Sequence, residues 1–124
     1  MPVMKEHDAV AHRLHGVVFH SYAAPARGSV ELCAWRLEVQ PGVTGVPHRV
    51  SREEVFLVLS GAVTVALDGV ATDLTPGDVA LVPAGSEVAV ENHGAEPARV
   101  WVTTSAGLEA TTADGTVIRP PWTR

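Results

Sequence analysis

Residues 47–61, PHRVSREEVFLVLSG, contain the features that decide the fold. In the run EVFLVL, apolar side chains occupy both faces of a predicted β-strand, whereas a strand with one wet face would alternate apolar and polar residues. The outer face of this strand must therefore be covered by another strand or by a second copy of the chain. On this ground we predict a homodimer.

Short apolar runs separated by turn-forming residues continue on both sides of this stretch. Residues 35–40, WRLEVQ, alternate strictly between apolar and polar side chains, as a strand with one buried face does. Residues 63–74, VTVALDGVATDL, predict a hairpin closed by a type I′ turn at Asp68-Gly69. No window of a dozen residues carries a helical period. The sequence therefore predicts an all-β single domain, either a sandwich or a barrel.

Composition limits the classes of function. The chain of 124 residues has 14 acidic and 9 basic side chains, and the basic ones are scattered, which argues against a nucleic-acid partner. Cys33 is alone, so neither an intramolecular disulfide nor a cysteine-based zinc motif can form. Neither a signal peptide nor a membrane span is recognisable, so we expect a cytoplasmic protein without a membrane partner. Residues 1–12 are expected to be flexible, and residues 13–124 to form the barrel domain.

The spacing of turn residues in the centre of the chain resembles the two motifs of the cupin superfamily. Residues at the intervals of the first motif are Gly42, His48, Glu54 and Gly61. Residues at the intervals of the second motif are Gly77, Pro83, Gly85 and Asn92. The resemblance implies a single-domain cupin-type jelly-roll β-barrel, which is commonly a homodimer.

The resemblance also implies a metal site, which in this family is usually held by three histidines and one glutamate. His48 and Glu54 stand at two of the four positions, whereas Val50 and Val88 stand at the other two. Catalytic metal sites use at least three protein ligands. The motifs are therefore degenerate, His48 and Glu54 are weak candidate ligands, and we expect no cofactor beyond a weakly bound divalent metal.

Inside the barrel we predict a small, mainly apolar cavity with His48 and Glu54 at its polar end. Its predicted ligand-binding residues are Trp35, Val50, Phe56, Val88, Val90 and Trp101. An ionised carboxylate is costly in such a cavity unless it is paired or used. His48 and Glu54 are thus either a hydrogen-bonded polar island or a catalytic pair, in which His48 is a general base and Glu54 fixes its tautomer. Trp122 is expected on the outside or at a partner surface.

This arrangement suggests binding of a small, largely hydrophobic molecule that carries one polar group. The most concrete enzymatic hypothesis is a metal-independent isomerase, epimerase or cyclase. One alternative is a non-catalytic ligand-binding or sensor cupin. Another is a metal-dependent cupin enzyme, an oxygenase or isomerase, in which His48, Glu54 and a third ligand hold iron, zinc or nickel.

Overall fold

The computed structural model describes residues 3–124. These residues form two antiparallel sheets of six strands each. The strands in chain order are β1 (Val10–Leu14), β2 (Val17–Ala23), β3 (Leu32–Val39), β4 (His48–Val50), β5 (Glu54–Ser60), β6 (Val63–Leu67), β7 (Val70–Leu74), β8 (Val79–Val82), β9 (Glu87–Glu91), β10 (Ala98–Ser105), β11 (Ala110–Thr112) and β12 (Val117–Ile118). Three short 3₁₀ helices cover Glu6–Asp8, Pro25–Arg27 and Pro121–Thr123. The predicted all-β jelly-roll barrel is confirmed.

The two sheets face each other across one apolar core. The first sheet has the order β1-β2-β3-β10-β5-β8, and the second has the order β12-β11-β4-β9-β6-β7. The predicted alternation in β3 is confirmed, because Trp35, Leu37 and Val39 point into the core while the residues between them are half-buried. No helix in residues 3–124 is long and apolar enough to cross a membrane.

The predicted hairpin joins β6 to β7. Asp68 and Gly69 both have positive φ, at 49° and 82°, as a type I′ turn requires. This part of the prediction is also confirmed.

Two of the spaced motif residues have clear structural roles. Gly61 has a φ of 73°, and a Cβ there would lie 2.7 Å from the Pro97 carbonyl oxygen, so only glycine fits. The buried Asn92 amide donates to the carbonyls of Val39 (3.0 Å) and Glu96 (2.8 Å). These contacts stabilise turns of the barrel. The spacing of these two motif residues therefore indicates the fold and does not indicate an activity.

The N-terminal boundary of the barrel differs from the predicted one. Strand β1 begins at Val10 and pairs with β2 along its whole length. Before it, the Arg27 guanidinium donates to the Asp8 carbonyl, and Arg36 lies 3.5 Å from Glu6. Strand β1 therefore begins before residue 13, where the barrel domain was predicted to start, and the flexibility of residues 1–12 stays a prediction. For residues 1 and 2, the prediction lies outside the described residues.

The C-terminal residues return to the barrel, which corrects the prediction that Trp122 packs outside. The Trp122 ring stacks on Phe19 with centroids 3.6 Å apart and an interplanar angle of 13°. Ser21 Oγ donates to the Trp122 carbonyl at 2.8 Å. Two prolines, 120 and 121, precede the ring and restrict the backbone that delivers it. Trp122 is consequently part of the core.

Candidate functional site

A cavity of about 170 Å³ lies between the two sheets. Leu14, Val46 and Ile118 line it and are also exposed to solvent, so they mark its mouth. Trp35 and Phe56 line it and are buried, so they mark its floor. The wall is almost entirely apolar, which suits an apolar occupant of modest size.

Glu54 is the buried acidic group of this cavity. It is the first residue of β5, lies on the inner face of the first sheet, and is only 3% exposed. Within residues 3–124 no group hydrogen-bonds to its Oε1 atom. The hydroxyl of its cross-strand partner, Thr104, donates instead to the Glu53 carbonyl at 2.7 Å. Burial raises the pKa of the Glu54 carboxyl to about 8, because the apolar surroundings disfavour its charged form.

Trp35 provides a second buried polar atom without a partner. Its indole Nε1–H finds no acceptor among the described residues, and the side chain is 3% exposed. Ser21 is its cross-strand neighbour, but the Ser21 hydroxyl is already bonded to the Trp122 carbonyl. Buried polar groups in folded proteins are rarely left without partners. Trp35 and Glu54, which each carry one such atom, both line the same cavity.

His48 also lies in the wall but does not pair with Glu54. Its Nδ1 atom is 3.0 Å from the Val46 carbonyl oxygen. Because a carbonyl can only accept, Nδ1 carries the proton and the Nε2 atom of the neutral ring is left with its lone pair. The expected His48–Glu54 hydrogen bond is thus wrong, since the Val46 carbonyl orients the ring instead.

The other predicted ligand-binding residues divide into two groups. Phe56 and Val90 line the cavity as predicted. Val50 and Val88 are fully buried but lie in the packed core and do not border the cavity. For these two valines the prediction of a cavity lining is corrected.

Trp101 requires a larger correction. It points to the outer face of the first sheet, because its neighbours in β10, Val100 and Val102, both point inward. There it packs against Tyr22, with ring centroids 5.2 Å apart. Strand alternation could have revealed this, since Trp35 and Trp101 cannot share a face when Trp35 is paired directly with Val102.

His15 and Trp122 line the cavity and were not predicted to do so. His15 sits in the tight turn between β1 and β2, with a φ of 52°. No local pattern in the sequence links this turn or the C-terminal Trp122 to the barrel. Both reach the cavity only through long-range packing.

The cavity lacks a fixed positive side chain. Within the part of the chain that the structure describes, no lysine or arginine contributes to its wall. The polar side chains that do are His15, His48, Glu54, Thr112 and the indoles of Trp35 and Trp122. An anionic ligand would find no guanidinium or ammonium partner here.

Comparison with known proteins agrees with this fold. A family model for the cupin domain matches residues 35–104, and the chain belongs to the cupin family. A rice relative (Oryza sativa subsp. japonica), germin-like protein 5-1, is 35% identical over 79% of this chain, which spans only 46% of that relative's length.

Solved structures show the same barrel at lower identity. The polyketide cyclase RemF from Streptomyces resistomycificus has a TM-score of 0.76 and 19% identity, with 85% of this chain and 79% of that chain covered. A sugar phosphate isomerase of the cupin superfamily from Silicibacter pomeroyi has a TM-score of 0.68 and 20% identity, with 87% and 79% covered. At these identities the likeness concerns the fold alone.

The residues present do not fit a stably held metal ion. Val50 and Val88 offer no donor atoms at two of the four family positions. Over residues 3–124, no three or more side chains of His, Cys, Asp or Glu come together as a metal site would need.

Proposed function

We propose that the chain binds a small, largely apolar molecule in the barrel and transfers protons on it without a metal, as an isomerase or cyclase would. The observation that carries this proposal is the Glu54 carboxyl, buried and unpartnered in the wall of an apolar cavity. A group in that setting destabilises the fold unless a bound molecule uses it.

The geometry supplies one proton donor and one proton acceptor. Near neutral pH the Glu54 carboxyl is mainly protonated, because burial raises its pKa to about 8. His48 Nε2 holds a lone pair, since Nδ1 is bonded to the Val46 carbonyl. His48 takes a proton from carbon while Glu54 gives its own to the substrate, and reversal at a second position completes an isomerisation. No electrons are exchanged with another molecule.

Two structural neighbours are named as an isomerase and a cyclase. Their names support the proposed type of reaction but not a substrate. One structural neighbour is called a sugar phosphate isomerase and another a polyketide cyclase. Their fold is shared, but a shared fold does not carry a substrate with it. The present cavity, with no cationic side chain from residues 3–124 in its wall, differs from what a phosphate ester would require.

The proposal is tested by solvent deuterium exchange. Small cyclic ketones, lactones and dienes are incubated with the protein in D₂O containing EDTA, and deuterium at carbon is followed by NMR. We expect wild type to accelerate exchange in at least one compound. Glu54→Gln and His48→Gln are each expected to slow it about 100-fold or more.

The chain offers a matched control on its surface. Glu91 and His93 form a His–carboxylate pair outside the barrel, and His93 is largely exposed. Glu91→Gln and His93→Gln are expected to leave the exchange rate unchanged. Exchange that EDTA abolishes, or that survives in Glu54→Gln, would contradict the proposed mechanism.

We also propose that the protein is a homodimer, assembled through the outer face of the first sheet. The outward residues of β5 and its neighbour β8 remain uncovered within the described chain. The most exposed of them are Val55, Leu59, Val79 and Leu81, at 37%, 46%, 55% and 55%. Strand β8 is also an edge strand, with backbone groups free to pair. A second copy would cover this apolar surface.

Light scattering on the purified protein checks the dimer. We expect about twice the chain mass of 13.0 kDa. Val79→Lys with Leu81→Lys is expected to yield monomers, because two charges would be desolvated in the interface. Val70→Lys, at an exposed apolar position of the other sheet, is the control and is expected to remain dimeric. A wild-type monomer at micromolar concentration would refute the assembly.

A further inference from the structure

Residues 117–124 form a strap that connects the two sheets beside the cavity. The strap begins with β12, which pairs with β11 at the edge of the second sheet. It ends on the first sheet, where Ser21 Oγ donates to the Trp122 carbonyl at 2.8 Å and Cys33 Sγ donates to the Thr123 carbonyl at 3.5 Å. The strap is therefore held at both ends, once by each sheet.

Alternate residues of the strap line the cavity. These are Ile118, Pro120 and Trp122, the period of two that extended backbone produces. Ile118 is 36% exposed at the mouth, whereas Trp122 is 9% exposed. The strap therefore runs from the mouth inward, and Trp122 is the buried side chain at its inner end.

The Trp122 indole occupies an aromatic position inside the barrel. It stacks on Phe19 with ring centroids 3.6 Å apart and an interplanar angle of 13°, and Phe19 also lines the cavity. An indole is a planar pair of fused rings, so it covers the face of Phe19 on which a two-ring ligand could stack. The space that remains, about 170 Å³, compares with the cavities of about 150 Å³ that accept benzene. It has room for one ring.

We propose that Trp122 is the specificity-determining residue of the cavity, which admits ligands with one six-membered ring and excludes those with two fused rings. This inference rests on the proposed function and specifies the size class of its substrate. Selection is by shape. For a larger ligand to displace the indole, the strap would have to give up the Phe19 stack and the hydrogen bonds from Ser21 and Cys33.

Two probes that differ by one fused ring, phenol and 2-naphthol, test the size limit by titration calorimetry. Both are uncharged near neutral pH, where a phenolic hydroxyl keeps its proton. Wild type is expected to bind phenol at least about tenfold more tightly than 2-naphthol. In Trp122→Ala the order is expected to reverse, with 2-naphthol gaining about 100-fold, because its two rings can take the place of the indole on Phe19.

Two further variants separate this effect from a general loosening of the barrel. Trp122→Leu keeps an apolar side chain in the core, so it lowers stability less than Trp122→Ala, and it is expected to gain about tenfold for 2-naphthol. Trp101→Ala removes an indole of the same size from the outer face of the first sheet, where it packs on Tyr22. This control is expected to keep the wild-type preference for phenol. Melting temperatures show that each variant is folded.

The outcomes distinguish failure of this inference from failure of the proposed function. Binding of 2-naphthol to wild type as tightly as phenol would overturn the size limit. An unchanged preference in folded Trp122→Leu, or an equal gain in Trp101→Ala, would overturn the role of Trp122. In each of these cases solvent deuterium exchange by wild type would leave proton transfer in the barrel standing. Failure of both probes to bind wild type and the Trp122 variants would remove the cavity as a binding site and the proposed function with it.

Discussion

The double variant Val50→His, Val88→His is expected to bind zinc about 10⁴-fold more tightly than wild type. A four-ligand zinc site is worth about 10–16 kcal/mol, so each added ligand contributes roughly 3 kcal/mol. Val88 is the direct cross-strand partner of His48, and Val50 follows His48 on the same face of β4. With Glu54, the new imidazoles would complete a three-histidine, one-glutamate set.

The structure also predicts the cost of this change. Val50 and Val88 are buried in the packed core and do not border the cavity, so two larger rings are expected to destabilise the metal-free fold by about 1–3 kcal/mol. Each single variant, Val50→His or Val88→His, is the control and is expected to gain about 100-fold. Calorimetry with zinc decides the matter. A folded double variant that binds no better than wild type would show that these four side chains do not converge.

The free energy of unfolding of the wild type is expected to fall by roughly 4 kcal/mol between pH 5 and pH 9. Burial raises the pKa of Glu54 from 4.5 to about 8 in the folded chain. Between these two values the folded state holds a proton that the unfolded state has released, so raising the pH favours unfolding. The loss begins above pH 4.5 and is complete near pH 8. Solvent does not screen the effect, because the side chain is buried.

Urea denaturation across this pH range measures the effect, and one isosteric variant isolates it. Glu54→Gln cannot titrate, so its stability is expected to vary much less with pH and to exceed that of wild type at pH 9. Glu91→Gln removes a carboxyl that hydrogen-bonds to the largely exposed His93, and it is expected to keep the wild-type profile. Equal pH dependence in wild type and Glu54→Gln would mean that Glu54 ionises in the folded protein without penalty.

Much of the barrel could be predicted from local patterns. The turn at Asp68-Gly69 and the alternation through Trp35 depend on a few neighbouring residues, and the structure has both as expected. The intervals around Gly61 and Asn92 mark a close backbone approach that only glycine permits at 61 and a side-chain bond from Asn92 to the Val39 carbonyl. These features are local or tied to the family spacing, so one sequence is enough to reveal them.

The site was less predictable because its contacts are long-range. Trp122 reaches the cavity from the end of the chain, and His15 reaches it from a turn whose residues carry no strand pattern. The expected pairing of His48 with Glu54 is absent, and the Val46 carbonyl, which contacts Nδ1, orients the ring instead. The direction of a backbone carbonyl cannot be predicted from the types of side chain in the sequence.

The position of β10 between β3 and β5 has a consequence for synthesis on the ribosome. Both flanking strands leave the exit tunnel well before Ala98–Ser105, because about 45 residues separate the ends of β5 and β10. At about 5–20 residues per second, the facing edge of β5 waits roughly 2–9 seconds for a partner, and that of β3 waits longer. Nascent chains aggregate when the unpaired strand edges of one chain, next to apolar faces, pair with those of a neighbour. Chaperone supply and elongation rate during that interval are therefore expected to affect the yield in a cell.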